Sequence, residues 1–221
     1  MFITSPNGEE LVEKTPEFAA YQSKVMYTAK LRKSNLPVMN YSFDTYVGKD
    51  TQNNIIKFKK YVDEFNATFK SISLYMWSKQ NGTQKTTMAR TIGALLIKNG
   101  FTVQSILMDS LIKLSVGCNF EEEPEQLKLC KSVDFLIIDD AFDSKKVTLY
   151  KSGYQLPYLD TFLRERLEGK RKAICFTSNI SIMNIATHFG QSIQELVVRS
   201  SQEFSMTDYI ESRNNFSSLW D

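Results

Sequence analysis

Ser73-Leu74-Tyr75-Met76-Trp77, continued by Ser78-Lys79-Gln80-Asn81-Gly82-Thr83-Gln84-Lys85-Thr86, is the stretch that decides the fold. The apolar, aromatic-rich run reads as a buried strand, and the polar loop after it opens a helix from Thr86 to Asn99 that Gly100 closes. Strand, glycine-bearing loop and helix in this order are the context a phosphate-binding loop requires. In such a loop the backbone N–H groups and the helix N-terminus face an anion. Lys85 adds a positive charge for the terminal phosphates, and the Thr86 hydroxyl helps hold Mg²⁺. Measured against the usual pattern of glycine, four residues, glycine, lysine and Ser/Thr, Lys79 replaces the first glycine and Gln84 the last. A side chain at position 84 restricts how closely the backbone can wrap phosphates, and the competing reading of the loop is a plain polar strand-to-helix turn.

Downstream, Phe135-Leu136-Ile137-Ile138 runs directly into Asp139-Asp140, placing two carboxylates at the carboxyl end of a buried strand, where open α/β sheets bind ligands. Asp139 is the candidate Mg²⁺ ligand, through water, and Asp140 the candidate for orienting an attacking water; two acids capping a loop is the alternative. A third apolar run, Ala173-Ile174-Cys175-Phe176, ends in Thr177-Ser178-Asn179. In a parallel sheet that puts the Asn179 amide beside the acidic strand, although asparagine also serves as a helix N-cap or turn residue. Glu195-Leu196-Val197-Val198-Arg199 reads as a helix end bearing one arginine, either a solvated surface residue or a cation offered across a subunit boundary.

Between these runs lie helical segments. Residues 53–70 place Ile55, Phe58, Val62, Phe65 and Phe69 three or four apart, and further helices are expected around Glu121 to Lys131 and Tyr158 to Glu168, with a strand from Phe101 to Met108. Apolar strands separated by helices of this length imply a parallel sheet covered on both faces. Ahead of them, Glu9 to Lys33 carries Leu11, Phe18, Tyr21, Val25, Tyr27 and Leu31 among many charges. That suits one or two amphipathic helices interrupted near Pro16, and Ser34-Asn35-Leu36-Pro37 breaks the pattern. The expected organisation is a helical segment over 1–35, either a docking element or a helix packed on its own domain, and an α/β domain over 36–221.

The 221 residues, 42% hydrophobic and 24% charged, can bury a real core, and a net charge of +2 neither announces nor excludes a nucleic-acid partner. No apolar run approaches membrane-spanning length and the start lacks a leader pattern, so a cytoplasmic protein is expected. The three cysteines, Cys118, Cys130 and Cys175, and the one histidine, His188, lack metal-ligand spacing. Reduced thiols, a buried Cys175 and a structural or surface His188 follow. The run from Lys145 to Lys151 alternates lysines with Tyr150 and reads either as a solvated loop or as a site for DNA by charge and stacking.

With these elements in order, the chain resembles the AAA+ ATPases of the DnaC/DnaI-type helicase loader family and their IstB-like relatives. The likeness covers roughly Leu36 to Asp208. It includes Leu36-Pro37 with Tyr41-Ser42-Phe43-Asp44-Thr45-Tyr46, the loop ending Gly82-Thr83-Gln84-Lys85-Thr86, the strand ending Ile137-Ile138-Asp139-Asp140, the helix with Arg164 and Arg166, and Phe176-Thr177-Ser178-Asn179. The resemblance implies a three-layer P-loop fold with a minimal lid or none. It implies ATP and Mg²⁺, with Gly82, Thr83, Gln84, Lys85, Thr86 and Thr87 around the nucleotide and Thr86 and Asp139 at the metal. It implies Asn179 as sensor I, Arg199 as arginine finger, Arg166 facing a neighbouring subunit, and ATP-dependent assembly into an open ring or spiral. The implied partners are a replicative helicase and single-stranded DNA. A compact bacteriophage loader fits the trimmed architecture. An IstB-like ATPase acting on duplex DNA and a weakly hydrolysing adaptor that sequesters a replication protein are the other functions the pattern allows.

Overall fold

The computed structural model describes residues 2–4, 10–12, 15–45, 50, 52–117 and 123–206. Tyr46, Cys118, Glu121 and the stretch beyond Met206, all singled out above, lie outside the described residues. Two short strands, β1 (Phe2–Thr4) and β2 (Glu10–Val12), pair antiparallel, and α1 (Pro16–Lys33) follows. Pro16 begins this helix rather than interrupting one: it sits in the first turn, where its missing N–H costs nothing, and the Thr15 hydroxyl accepts from Phe18 N at 3.3 Å. Where the pattern breaks, Ser105 N donates to Ser34 O at 2.9 Å.

The central sheet is built from β3 (Ser73–Trp77), β4 (Val103–Leu107), β5 (Phe135–Asp139), β6 (Ile174–Ser178) and β7 (Ser201–Ser205) in the order β4-β5-β6-β3-β7. Every neighbouring pair is parallel. This order sets β6 between the strand of the phosphate loop and the strand of the two acids, with Ile138 opposite Phe176 and Trp77 opposite Ser178. The carboxyl ends of all three meet on one edge of the sheet.

The period-two alternation of the strands divides the core. Phe135, Ile137, Leu74, Met76 and Cys175 face one layer, which holds Leu31 of α1, Phe58 and Val62 of α2 (Asn54–Asp63), and Met88, Ile92 and Leu96 of α3 (Lys85–Lys98). Leu136, Ile138, Tyr75 and Phe176 face the other. That layer is formed by α4 (Met108–Val116), α5 (Glu125–Ser132), α6 (Leu156–Arg164) and α8 (Gln191–Ser200), with the single-turn α7 (Ala186–Phe189) before α8. α3 lies close on the sheet because Gly93 has no side chain; a Cβ there would stand 2.9 Å from Ile137 Cδ1. Leu36, Tyr41 and Phe43 of the segment after α1 are buried in the same layer.

Cys175 and Cys130 are buried, and His188 is exposed. α6 does not run on as an α-helix to Glu168. From Glu165 to Gly169 the backbone widens into a π-turn, which rotates the following side chains relative to the helical period.

Candidate functional site

The phosphate loop grows out of β3 and stays tied to the sheet, with Ser78 N donating to Ser178 O at 3.2 Å. Gly82 takes φ 82°, and Gln84, the residue before the helix, takes φ 60° and ψ 15°. A non-glycine residue in that left-handed region costs about 1–2 kcal/mol, so the loop keeps the backbone shape that glycine would adopt freely. Inside the hollow lies Lys85. Its ammonium donates to Ser78 O at 3.3 Å, Gln80 O at 3.1 Å and Thr83 Oγ1 at 3.1 Å. Burial, followed by the charge of Lys146, lowers its pKa to about 8, against the opposing pull of Asp140 and Asp139. Thr83 is buried, whereas the side chain of Thr87 is exposed.

Thr86 stands in the first turn of α3 and its hydroxyl donates to Asp139 Oδ1 at 2.7 Å. The Thr177 hydroxyl donates to the same oxygen, and Arg90 Nη2 lies 3.7 Å from Asp139 Oδ2. A hydroxyl and a carboxylate side by side are hard oxygen ligands of the kind that suit Mg²⁺. A cleft of ≈ 270 Å³ lined by Asn35, Ser105, Ser110, Gln126 and Arg90 also opens on Asp139.

Past Asp139 the chain turns sharply. Asp140 and Phe142 both hold positive φ, at 54° and 58°, while Ala141 N donates to Thr177 O at 2.7 Å and Ser178 Oγ to Ala141 O at 2.6 Å. Two left-handed non-glycine residues in one turn persist only where the surroundings over-determine them, here through the end of β6. Asp140 Oδ1 accepts from Lys146 Nζ at 2.6 Å. Asn179 follows β6 and donates through Nδ2 to Asp143 Oδ2 at 2.9 Å. Burial would raise the Asp143 carboxyl, but the Asn179 amide, the Lys145 N–H and the nearby lysines hold it below the usual carboxylate range.

Lys85, Thr86, Asp139, Asp140 and Asn179, read separately along the sequence, therefore meet at one edge of the sheet. Arg199 is an exposed residue in the last turn of α8 that pairs with Glu168. Arg166 requires a correction. It is fully buried, and its guanidinium donates to Cys130 O at 2.9 Å, Val133 O at 3.0 Å and Ala173 O at 2.9 Å, so it fastens α5 to β6 and faces no neighbour. It lies seven, four and three residues after Leu159, Phe162 and Leu163, so it continues the buried face of α6. Sequence reasoning missed Arg90, Asp143 and the pairing of Lys146 with Asp140. Arg90 lies four residues after Thr86 on the same helix, a spacing that puts both on one face.

The five-stranded parallel sheet, with a strand, loop and helix around Lys85 at its carboxyl end, is an α/β fold shared with known replication proteins. Among solved structures, the crystal structure of DnaI matches with TM-score 0.61 and 19% identity, over 75% of this chain and 89% of that one. The DnaC helicase loader matches with TM-score 0.58 and 18% identity over 75% and 96%. AMPPCP-bound DnaA from Aquifex aeolicus matches with TM-score 0.62 and 15% identity over 83% and 56%. At these identities the likeness is one of fold.

In sequence, the chain is similar to the protein named replicative helicase loader DnaC of Buchnera aphidicola subsp. Acyrthosiphon pisum, 33% identical over 108 residues. The DnaC of Buchnera aphidicola subsp. Schizaphis graminum is 32% identical over 108 residues. Each match spans 46% of this chain and 43% of the relative, less than half of either. No protein-family model matches. The resemblance to DnaC/DnaI-type loaders read from the motifs is borne out at this level.

Proposed function

We propose that this chain binds ATP with Mg²⁺ at the edge formed by β3, β5 and β6 and uses it to help load a replicative helicase onto single-stranded DNA. The observation that carries the reading is the 2.7 Å contact between Thr86 Oγ1 and Asp139 Oδ1 beneath the Lys85 loop. A hydroxyl and a carboxylate brought together from distant parts of the chain, at the mouth of an anion-binding loop, are the ligand set of a nucleotide-bound Mg²⁺.

Thr86 and Asp139 would hold the ion, which when bound neutralises charge on the outer phosphates. Lys85 and the backbone N–H groups from Gly82 to Thr87 bind the phosphate chain. Asp140 orients a water for attack once its carboxylate is free of Lys146, and Asn179 senses the terminal phosphate. Arg199, exposed at the end of α8, is offered to the nucleotide of an adjacent subunit in an ATP-dependent ring or spiral.

The similarity to proteins named DnaC supports a helicase as partner. The exposed Phe18, Tyr21 and Val25 of α1 supply apolar surface for docking it, and Lys151 with the exposed, tilted pair Tyr150 and Tyr154, ring centroids 5.0 Å apart, supplies charge and stacking for DNA. A second reading, an adaptor with little turnover, is favoured by the strained Gln84 and the ion-paired Asp140. Mixing the chain with the replicative helicase of its own cell, with and without ATP, tests the loader reading. A complex that transfers helicase to single-stranded circles only with ATP is expected, and a helicase that neither binds the chain nor reaches DNA faster overturns it.

A further inference from the structure

A second ammonium is built into the edge of this site. Lys146 sits at the end of a tight turn that Asp143, 8% exposed, holds rigid. Asp143 O accepts from Lys146 N at 2.9 Å and Val147 N at 3.0 Å, and Asp143 Oδ1 accepts from Lys145 N at 3.0 Å. Its other carboxylate oxygen takes the Asn179 amide at 2.9 Å, and Val147 is buried in the core beside it. The turn is thus locked to the ends of β5 and β6, and the Lys146 side chain is directed back over the site to Asp140, 2.6 Å away.

That contact is an exposed ion pair, with side-chain exposures of 38% and 40%, a kind that exchanges partners at little cost. Lys146 also stands near enough to Lys85 for the two charges to interact. Two ammoniums converging on one hollow repel each other, and a polyphosphate relieves the repulsion. Lys85 and the loop backbone approach the phosphates from the side of β3. Lys146 approaches from the side of β5, past Asp140.

We infer that Lys146 reads the terminal phosphate: it leaves Asp140 for the outermost phosphate of a nucleoside triphosphate, so that only the triphosphate frees the Asp140 carboxylate. The inference rests on the nucleotide-site reading above and adds to it a residue that separates triphosphate from diphosphate. Asp143 acts as a positioning residue, coupling the place of Lys146 to that of Asn179.

The test is equilibrium binding of AMPPCP and of ADP, each with Mg²⁺, to the full chain and to Lys146→Met and Lys146→Arg, with urea unfolding to verify each variant is folded. The parent should prefer AMPPCP. Lys146→Met should lower that preference about tenfold, the loss of one charge-assisted contact, with ADP affinity changed less than about twofold, and Lys146→Arg should restore most of it. An unchanged ratio in Lys146→Met, or an equal loss of both nucleotides, overturns the inference while leaving the nucleotide site standing. A parent that binds neither nucleotide overturns both.

Discussion

Raising the pH above 8 should weaken nucleotide binding through a single group. Lys85, buried in the hollow of its own loop and repelled by Lys146, has a pKa of about 8. A triphosphate contacting that ammonium favours its charged form and raises its pKa again. Below pH 8 the free protein already carries the charge and affinity is flat on this account. Above pH 8 the free protein has released the proton and binding must take it back, so affinity falls by a factor of about ten per pH unit until the pKa of the complex is reached. Binding at pH 9 should therefore be roughly tenfold weaker than at pH 7. Calorimetric titration of Mg-AMPPCP at constant ionic strength, in two buffers of different ionisation enthalpy, measures affinity and proton uptake together; uptake should approach about one proton at pH 9. Lys85→Arg, charged throughout, should lose the dependence. Equal parental affinity at pH 7 and 9 with no proton uptake would refute the reasoning.

Three further perturbations have definite outcomes. Gln84→Gly should raise folding stability by about 1 kcal/mol, because glycine holds φ 60° without strain, and should raise AMPPCP affinity or leave it equal; lower stability in urea contradicts this. Arg166→Met should cost about 3–5 kcal/mol and lower the melting temperature by roughly 10 °C, since three buried carbonyls lose their donors; a loss under about 1 kcal/mol would mean the guanidinium is dispensable. Arg199→Ala should leave ADP binding by the monomer unchanged and abolish ATP-dependent assembly in sedimentation, whereas assembly like the parent's would return Arg199 to the role of a surface partner for Glu168.

The site was legible where the sequence punctuates itself. β3 and its glycine-bearing loop, the two acids ending β5 and the polar end of β6 are apolar runs with abrupt polar stops, and local pattern alone fixes them. β7 was not legible. Ser201–Ser205 contains one apolar residue, Phe204, and becomes a strand only because β3 pairs with it across the sheet. α4 escaped notice because it starts at Met108, directly after β4, with no turn residue between. Arg166 was assigned outward by the resemblance alone, although its spacing of seven, four and three residues from Leu159, Phe162 and Leu163 puts it on the buried face of the helix. Arg90, Asp143 and Lys146 act through contacts with residues 36 to 49 positions away or through a local turn, and nothing near them in sequence marks them as part of a site.

Titration of Mg-ATP into the parent chain and into Lys85→Ala measures the central claim most directly. The parent should bind and the variant should bind at least about tenfold more weakly, the effect of losing a charge-assisted contact of roughly 1.5–3 kcal/mol. Equal affinity in the two proteins, or no binding to the folded parent, would contradict the account.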